Sequence, residues 1–149
     1  MKLEFSGAPE IGAARQKVWD HLMDPNFVAA SAPGVESVVA LDPTHFNVIS
    51  GLGVGSVKVK FQLDVELSDI VEPERLKMAA RGKAPGSVVD VVSSVRLEEA
   101  GNGRTRLEWS ATSNLSGTVA SLGARLLEGI ARRLTVEFWT DFARRAGAG

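Results

Sequence analysis

The chain has 149 residues, 44% apolar and 23% charged, with a formal net charge of −1 and no cysteine. That length makes one domain, able to bury about 70% of the surface its unfolded form exposes. The charge balance excludes the basic footprint of a nucleic-acid binder. The lack of cysteine excludes disulfides, thiolate metal sites and cysteine nucleophiles, and fits a reducing cytoplasm.

Residues 2–11, KLEFSGAPEI, alternate around Leu3 and Phe5 and predict a first strand. They lack the apolar core of a signal peptide, and no later run reaches the roughly 18 apolar residues that cross a bilayer. AARQKVWDHLMDP sets Val18 and Leu22 four residues apart and stops at Asp24-Pro25, which predicts a short helix. NFVAASAPG adds a second, stopped by Pro33-Gly34. VESVVAL and HFNVIS flank the turn signal DPT and predict a hairpin. The clearest alternation follows. Val57, Val59, Phe61, Leu63, Val65 and Leu67 take one face, and Lys58, Lys60, Gln62, Asp64 and Glu66 the other. Such a strand belongs to an antiparallel sheet covered on one side. VEPER turns the chain into RLKMAARGK and then SVVDVVSSVRLEE; AGNGR leads into TRLEWSATSNL, where Leu107, Trp109, Ala111 and Leu115 share a face. After residue 116 Val119, Leu122, Leu126, Ile130, Leu134, Phe138 and Phe142 recur every three or four residues, predicting an amphipathic helix of about seven turns. The order predicts an α+β domain whose long helix covers the dry face of a curved sheet.

Two glycine sets invite functional readings. Gly51, Gly53 and Gly55 alternate in SGLGVGSVKVKF. A phosphate cradle needs a helix after its glycines, and here a strand follows. On the outer face these glycines let the strand bend or bulge. Gly117, Gly123 and Gly129 fall within the predicted helix, each at a cost of about 1 kcal/mol relative to Ala. They are tolerated, or allow close packing on the sheet, or leave room for a guest beneath the helix. Catalytic constellations are missing. His21, on a short helix, and His45, in a turn, are the only histidines and exclude a multi-histidine metal site. No serine occupies a nucleophile elbow, and tyrosine is absent. Asp64, Glu66, Asp90, Glu98 and Glu108 fall mostly on outward positions, with only the facing of Asp90, in SVVDVVSS, ambiguous.

Three stretches carry a family resemblance. GTVASLGARLLEGIARRLTVEF resembles the C-terminal helix of the carbon monoxide dehydrogenase CoxG family. KVWDHLMDPNFVAASAPGVESV is similar to that family's helix, Asp-Pro break and Pro-Gly-x-Glu-Ser turn, and GVGSVKVKFQLDVELSD to its Gly-x-Gly-x-Val-Lys strand. The order and spacing hold over nearly the whole chain. The resemblance implies a helix-grip domain of the START-like (SRPBCC) superfamily. Its curved seven-stranded antiparallel sheet would wrap around a long C-terminal helix, with two short helices after the first strand. Residues 1–146 are expected to form this single domain, and 147–149 its C-terminal end or the start of a linker. Val59 and Leu63 depart from the small residues the family often has there, which would narrow part of a cavity.

The resemblance further implies an apolar tunnel between sheet and helix. Its expected lining is Leu52, Val54, Phe61, Met78, Val91, Trp109, Leu122, Leu126 and Ile130, with Phe27, Val28 and Val35 near the mouth; each is equally an ordinary core position. Met78 and Trp109 can adapt to a flat or branched guest. The implied partner is an aerobic, molybdenum-containing carbon monoxide dehydrogenase at the inner face of the cytoplasmic membrane. Redox cofactors would belong to that partner, since this chain offers no ligand set for molybdenum, iron–sulfur or flavin and no intrinsic cofactor is expected. The expected guest is a respiratory quinone of the menaquinone type. Family members commonly continue into a flexible linker and an apolar segment, so the membrane is expected to be reached through residues beyond RRAGAG. Two other readings stand beside this one. An adaptor without a small-molecule ligand would rely on Arg125, Arg132 and Arg133 on the outer face of the helix. A cyclase- or hydrolase-like enzyme of the same superfamily would need an acid/base set that this sequence lacks.

Overall fold

A computed structural model describes residues 1–54 and 57–148, apart from the side chains of Val54 and Val57. Its strands are β1 (Lys2–Gly7), β2 (Glu10–Ile11), β3 (Val35–Asp42), β4 (His45–Val54), β5 (Val57–Val71), β6 (Arg75–Ala84), β7 (Ser87–Gly101) and β8 (Arg104–Gly117). Its helices are α1 (Arg15–Leu22), α2 (Pro25–Ser31) and α3 (Ala124–Gly147). The sheet is antiparallel in the order β1-β8-β7-β6-β5-β4-β3, with β2 pairing β8 off that path. The expected seven-stranded helix-grip sheet is thus present, with the two-residue β2 added. The single first strand read from the sequence is in fact two. Pro9 sits between them with no N–H to give the ladder, although its carbonyl still accepts from Leu107 N at 2.9 Å.

The alternation in β5 fixes which side is dry. Val59, Phe61, Leu63 and Val65 lie opposite Leu52, Ser50, Val48 and Phe46 of β4, and Leu63, Val65 and Leu67 opposite Gly82, Ala80 and Met78 of β6. This face curls around α3. The interior beneath α3 divides in two. Around its C-terminal half, Ile11, Val18, Trp19, Leu97, Leu107 and Phe142 are all nearly inaccessible to solvent, and Trp109 stacks on Trp139 at 5.5 Å between ring centroids. Around its N-terminal half a smaller cluster gathers Leu3, Phe61, Leu115, Val119 and Leu127. The first half is filled by aromatic rings; the second lacks them except for Phe61 and Phe5.

Both short helices pin the filled half. Trp19 of α1 donates from Nε1 to Glu72 Oε1 at 3.1 Å. Helix α2 begins with Pro25 at its first position, and Asp24 accepts from the N–H groups of Asn26 and Phe27 at 3.0 and 3.3 Å. It is tied to α3 by Ser31, whose hydroxyl donates to Asp141 Oδ2 at 2.9 Å, and by Arg145, which donates to Phe27 O and Ser31 Oγ at 2.7 Å each. The Arg144 guanidinium and then the Ser31 hydroxyl hold the Asp141 carboxyl below its ordinary range.

The glycines divide by role. Gly117 (φ +81°) and Gly123 (φ +98°) are not inside the long helix, as the period suggested. They bracket a 3-10 turn at Thr118–Leu122, and α3 starts only after Gly123. Gly51 N donates to Gly34 O at 2.8 Å, and Gly34 adopts φ +84°, where an added Cβ would overlap the Gly51 carbonyl. The backbone contact between the α2–β3 turn and β4 therefore depends on glycine at 34. Nothing lies within 4 Å of a Cβ added to Gly53, and Gly55 lies outside the described residues. Gly34→Ala is expected to destabilise the fold by about 2 kcal/mol or more. A melt should show this as a midpoint lowered by roughly 4–8 °C.

Candidate ligand-binding hollow

The poorly filled half of the interior contains a hollow of about 200 Å³ between the sheet and the first turns of α3. Three kinds of residue shape it. Large apolar side chains, including Leu3, Phe61, Leu63, Leu115, Leu127 and Leu134, form its walls. Small residues create the vacancy: Gly82 on β6 and Ser113 on β8 project little or nothing where a core would place a Leu or Phe. Pro33 and Ser50 close the side next to β3 and β4. Leu63 and Gly82 are direct cross-strand partners, and a Cβ on Gly82 would lie 3.3 Å from Leu63 Cγ. The bulk at Leu63 thus sits over the gap left at Gly82.

Of the expected lining, Leu52, Phe61 and Ile130 reach this hollow. Val35 is half-buried and paired with Ser50, which places it beside the rim. Val91 and Met78 are half-buried on the same curved face, but neither borders the hollow; Met78 lies opposite Leu67 and Ser93, farther toward the filled half. Trp109 belongs to that filled half, 9% exposed, with its Nε1 buried and without a hydrogen-bond partner among the described residues. Phe27 and Val28 also pack there rather than at a mouth; the Phe27 ring stacks on His21 at 3.9 Å and lies 4.0 Å from the Arg145 guanidinium carbon. Leu122 and Leu126 turn away from the hollow and are 42% and 49% exposed. The side chain of Val54 lies outside the described residues.

The hollow has little chemistry of its own. Ser50 and Ser113 are the only polar side chains among its described lining residues. The carboxylates face outward as read from the sequence, and Asp90 joins them, 3.7 Å from Arg81 Nε. His45 is a turn clamp on the outer face. Its Nδ1 lies 2.8 Å from Asp42 Oδ2, a contact that raises the imidazole above its usual 6.5 and lowers Asp42 to about 2. Among the described residues no cluster of histidines and carboxylates could hold a metal, and no helix is long and apolar enough to cross a membrane. A larger depression of about 780 Å³ lies outside the sheet among Arg75, Lys77, Arg96 and Arg106. It is open and polar, with ion pairs from Arg75 to Asp69 (3.4 Å) and Arg106 to Glu108 (3.2 Å), and offers nothing to an apolar guest.

The same fold recurs among solved structures. A conserved protein from Geobacillus kaustophilus superposes with a TM-score of 0.88 at 24% identity, covering 97% of this chain and 95% of that one. The Zhui aromatase/cyclase from Streptomyces sp. R1128 gives 0.67 at 17% identity, with coverage of 99% and 98%. A START superfamily protein from Mycobacterium smegmatis gives 0.70 at 10% identity, with coverage of 97% and 96%. These likenesses establish the helix-grip, START-like architecture. No curated protein sequence matches the chain. The family model for CoxG, the carbon monoxide dehydrogenase accessory component, matches residues 7–147, nearly the whole domain, and the chain is a member of the CoxG family.

Proposed function

We propose that this protein is a non-catalytic binder of a lipophilic small molecule. In this reading it presents a respiratory quinone of the menaquinone type to an aerobic, molybdenum-containing carbon monoxide dehydrogenase and helps associate that enzyme with the inner face of the cytoplasmic membrane. The hollow carries the proposal. At about 200 Å³ it exceeds the roughly 150 Å³ apolar cavity that takes up benzene, and falls short of the roughly 300–1,000 Å³ that encloses a drug-sized ligand. It therefore receives the ring end of a long guest and leaves most of an isoprenoid tail outside. Ser50 and Ser113 supply hydroxyl donors, and a quinone ring offers two carbonyl acceptors. The apolar walls favour such a ring over water by about 25 cal/mol per Å² of buried surface. The family connection to carbon monoxide dehydrogenase supplies the partner.

The test is to extract protein purified from a quinone-producing host with organic solvent and analyse the extract by mass spectrometry. A stoichiometric isoprenoid quinone is expected. An extract without lipid, from protein that also fails to take up added menaquinone, contradicts the proposal.

A further inference from the structure

The first turns of α3 show an excess of apolar surface that the fold does not use. Leu122 and Leu126 are 42% and 49% exposed, and with Gly129 and Ile130 they form an outward depression of about 680 Å³. Arg125 and Arg133 line the same depression. Among the described residues neither has a carboxylate within ion-pair distance. The nearby Glu128 is taken by Arg132 at 3.1 Å, and Glu137 lies one turn beyond Arg133. The surface is thus an aliphatic strip with two uncompensated guanidinium groups. Ile130 borders both this strip and the hollow. The strip is continuous with the route by which a guest would reach the interior.

We infer that this strip is a docking surface for an anionic lipid bilayer. The pattern fits an interface that is apolar below and negative above. Leu122, Leu126 and Ile130 enter the boundary between headgroups and acyl chains, while the long arginine side chains reach back to phosphate oxygens. A protein partner would need a shaped, hydrogen-bonding complement, and the strip offers only leucine, isoleucine and glycine between its two arginines. The location adds a function. A bilayer seated on the strip lies against the Ile130 side of the hollow, so a lipophilic guest crosses from lipid to protein without entering water. This last step rests on the carrier reading; the docking itself does not.

The experiment is co-sedimentation of the 149-residue chain with phosphatidylcholine–phosphatidylglycerol vesicles and with pure phosphatidylcholine vesicles. Binding to the anionic vesicles is expected, weakening as salt rises. Leu122→Gln with Leu126→Gln, and separately Arg125→Gln with Arg133→Gln, are each expected to reduce it about tenfold or more, with unchanged melting because all four side chains are on the surface. The inference is overturned if the chain ignores anionic vesicles, or if both double variants bind as well as the original. It is also overturned if the leucine pair weakens binding only to purified dehydrogenase, which would give the strip to the protein partner. Menaquinone added from ethanol keeps the two proposals apart. A leucine-pair variant that takes it up normally but no longer extracts it from vesicles supports docking. Vesicle binding without quinone uptake by the original chain leaves docking standing and removes the carrier.

Discussion

Ser113→Phe is expected to abolish uptake of a menaquinone analogue, lowering its affinity about tenfold or more, while the protein stays folded. The reason is volume. A phenyl ring fills an apolar cavity of about 150 Å³, and the hollow offers about 200 Å³. Ser113 borders it from β8, next to Leu3 of β1 and Val91 of β7. Overpacking carries a cost of roughly 1–3 kcal/mol in a filled core, and less where the new atoms enter empty space. Ile130→Trp reaches the same volume from the helix side and is expected to act alike. Leu63→Ala removes bulk over Gly82 and is expected to strengthen binding several-fold. Fluorescence or calorimetric titration, with melting curves as the folding control, reads all three. Unaltered uptake by both filling variants would place the guest elsewhere.

Phe142→Ala is expected to have the largest effect on stability. Phe142 is fully buried on α3, with the Phe27, Trp139 and Phe138 rings at 5.6, 5.7 and 6.1 Å. It joins the short helices to the sheet through the filled half of the interior. Removing a buried phenylalanine costs roughly 3–5 kcal/mol, which corresponds to a melting midpoint lowered by about 10 °C or more in a domain of this size. Leu63→Ala, whose side chain already faces open volume, is expected to fall near the low end of the roughly 2–5 kcal/mol typical of such truncations. Thermal or urea melts decide between a domain whose halves are packed unequally, as described, and one packed evenly. Equal losses at the two positions would favour the even one.

The contrast between the halves explains what can be read from the sequence. The strands are legible because one face of each is wet, so the period of two survives along 57–67 and 104–115. The Asn102-Gly103 turn is equally plain, and both residues adopt positive φ, as a two-residue hairpin demands. The start of the long helix is not legible. The spacing of Val119, Leu122, Leu126 and Ile130 looks continuous, yet Gly123 at φ +98° breaks the helical path. That break helps explain why Leu122 and Leu126, predicted to point inward, face solvent instead. The hollow is only half legible for a different reason. Large apolar residues mark walls, and among them Leu52, Phe61 and Ile130 do border the hollow. The same criterion selects Trp109 and Phe27, whose rings pack in the filled half. Vacancy is made by small residues, and its signal is the Gly82 and Ser113 pattern on the dry face of β6 and β8.

The carrier role depends on whether that vacancy accepts a guest. Methyl NMR during titration with a short-chain menaquinone analogue measures this most directly. Shifts concentrated on Leu3, Leu63, Leu115, Leu127 and Leu134, with Leu97 and Leu107 unmoved, are predicted. Saturating quinone that moves none of the first five, or moves Leu97 and Leu107 instead, would contradict it.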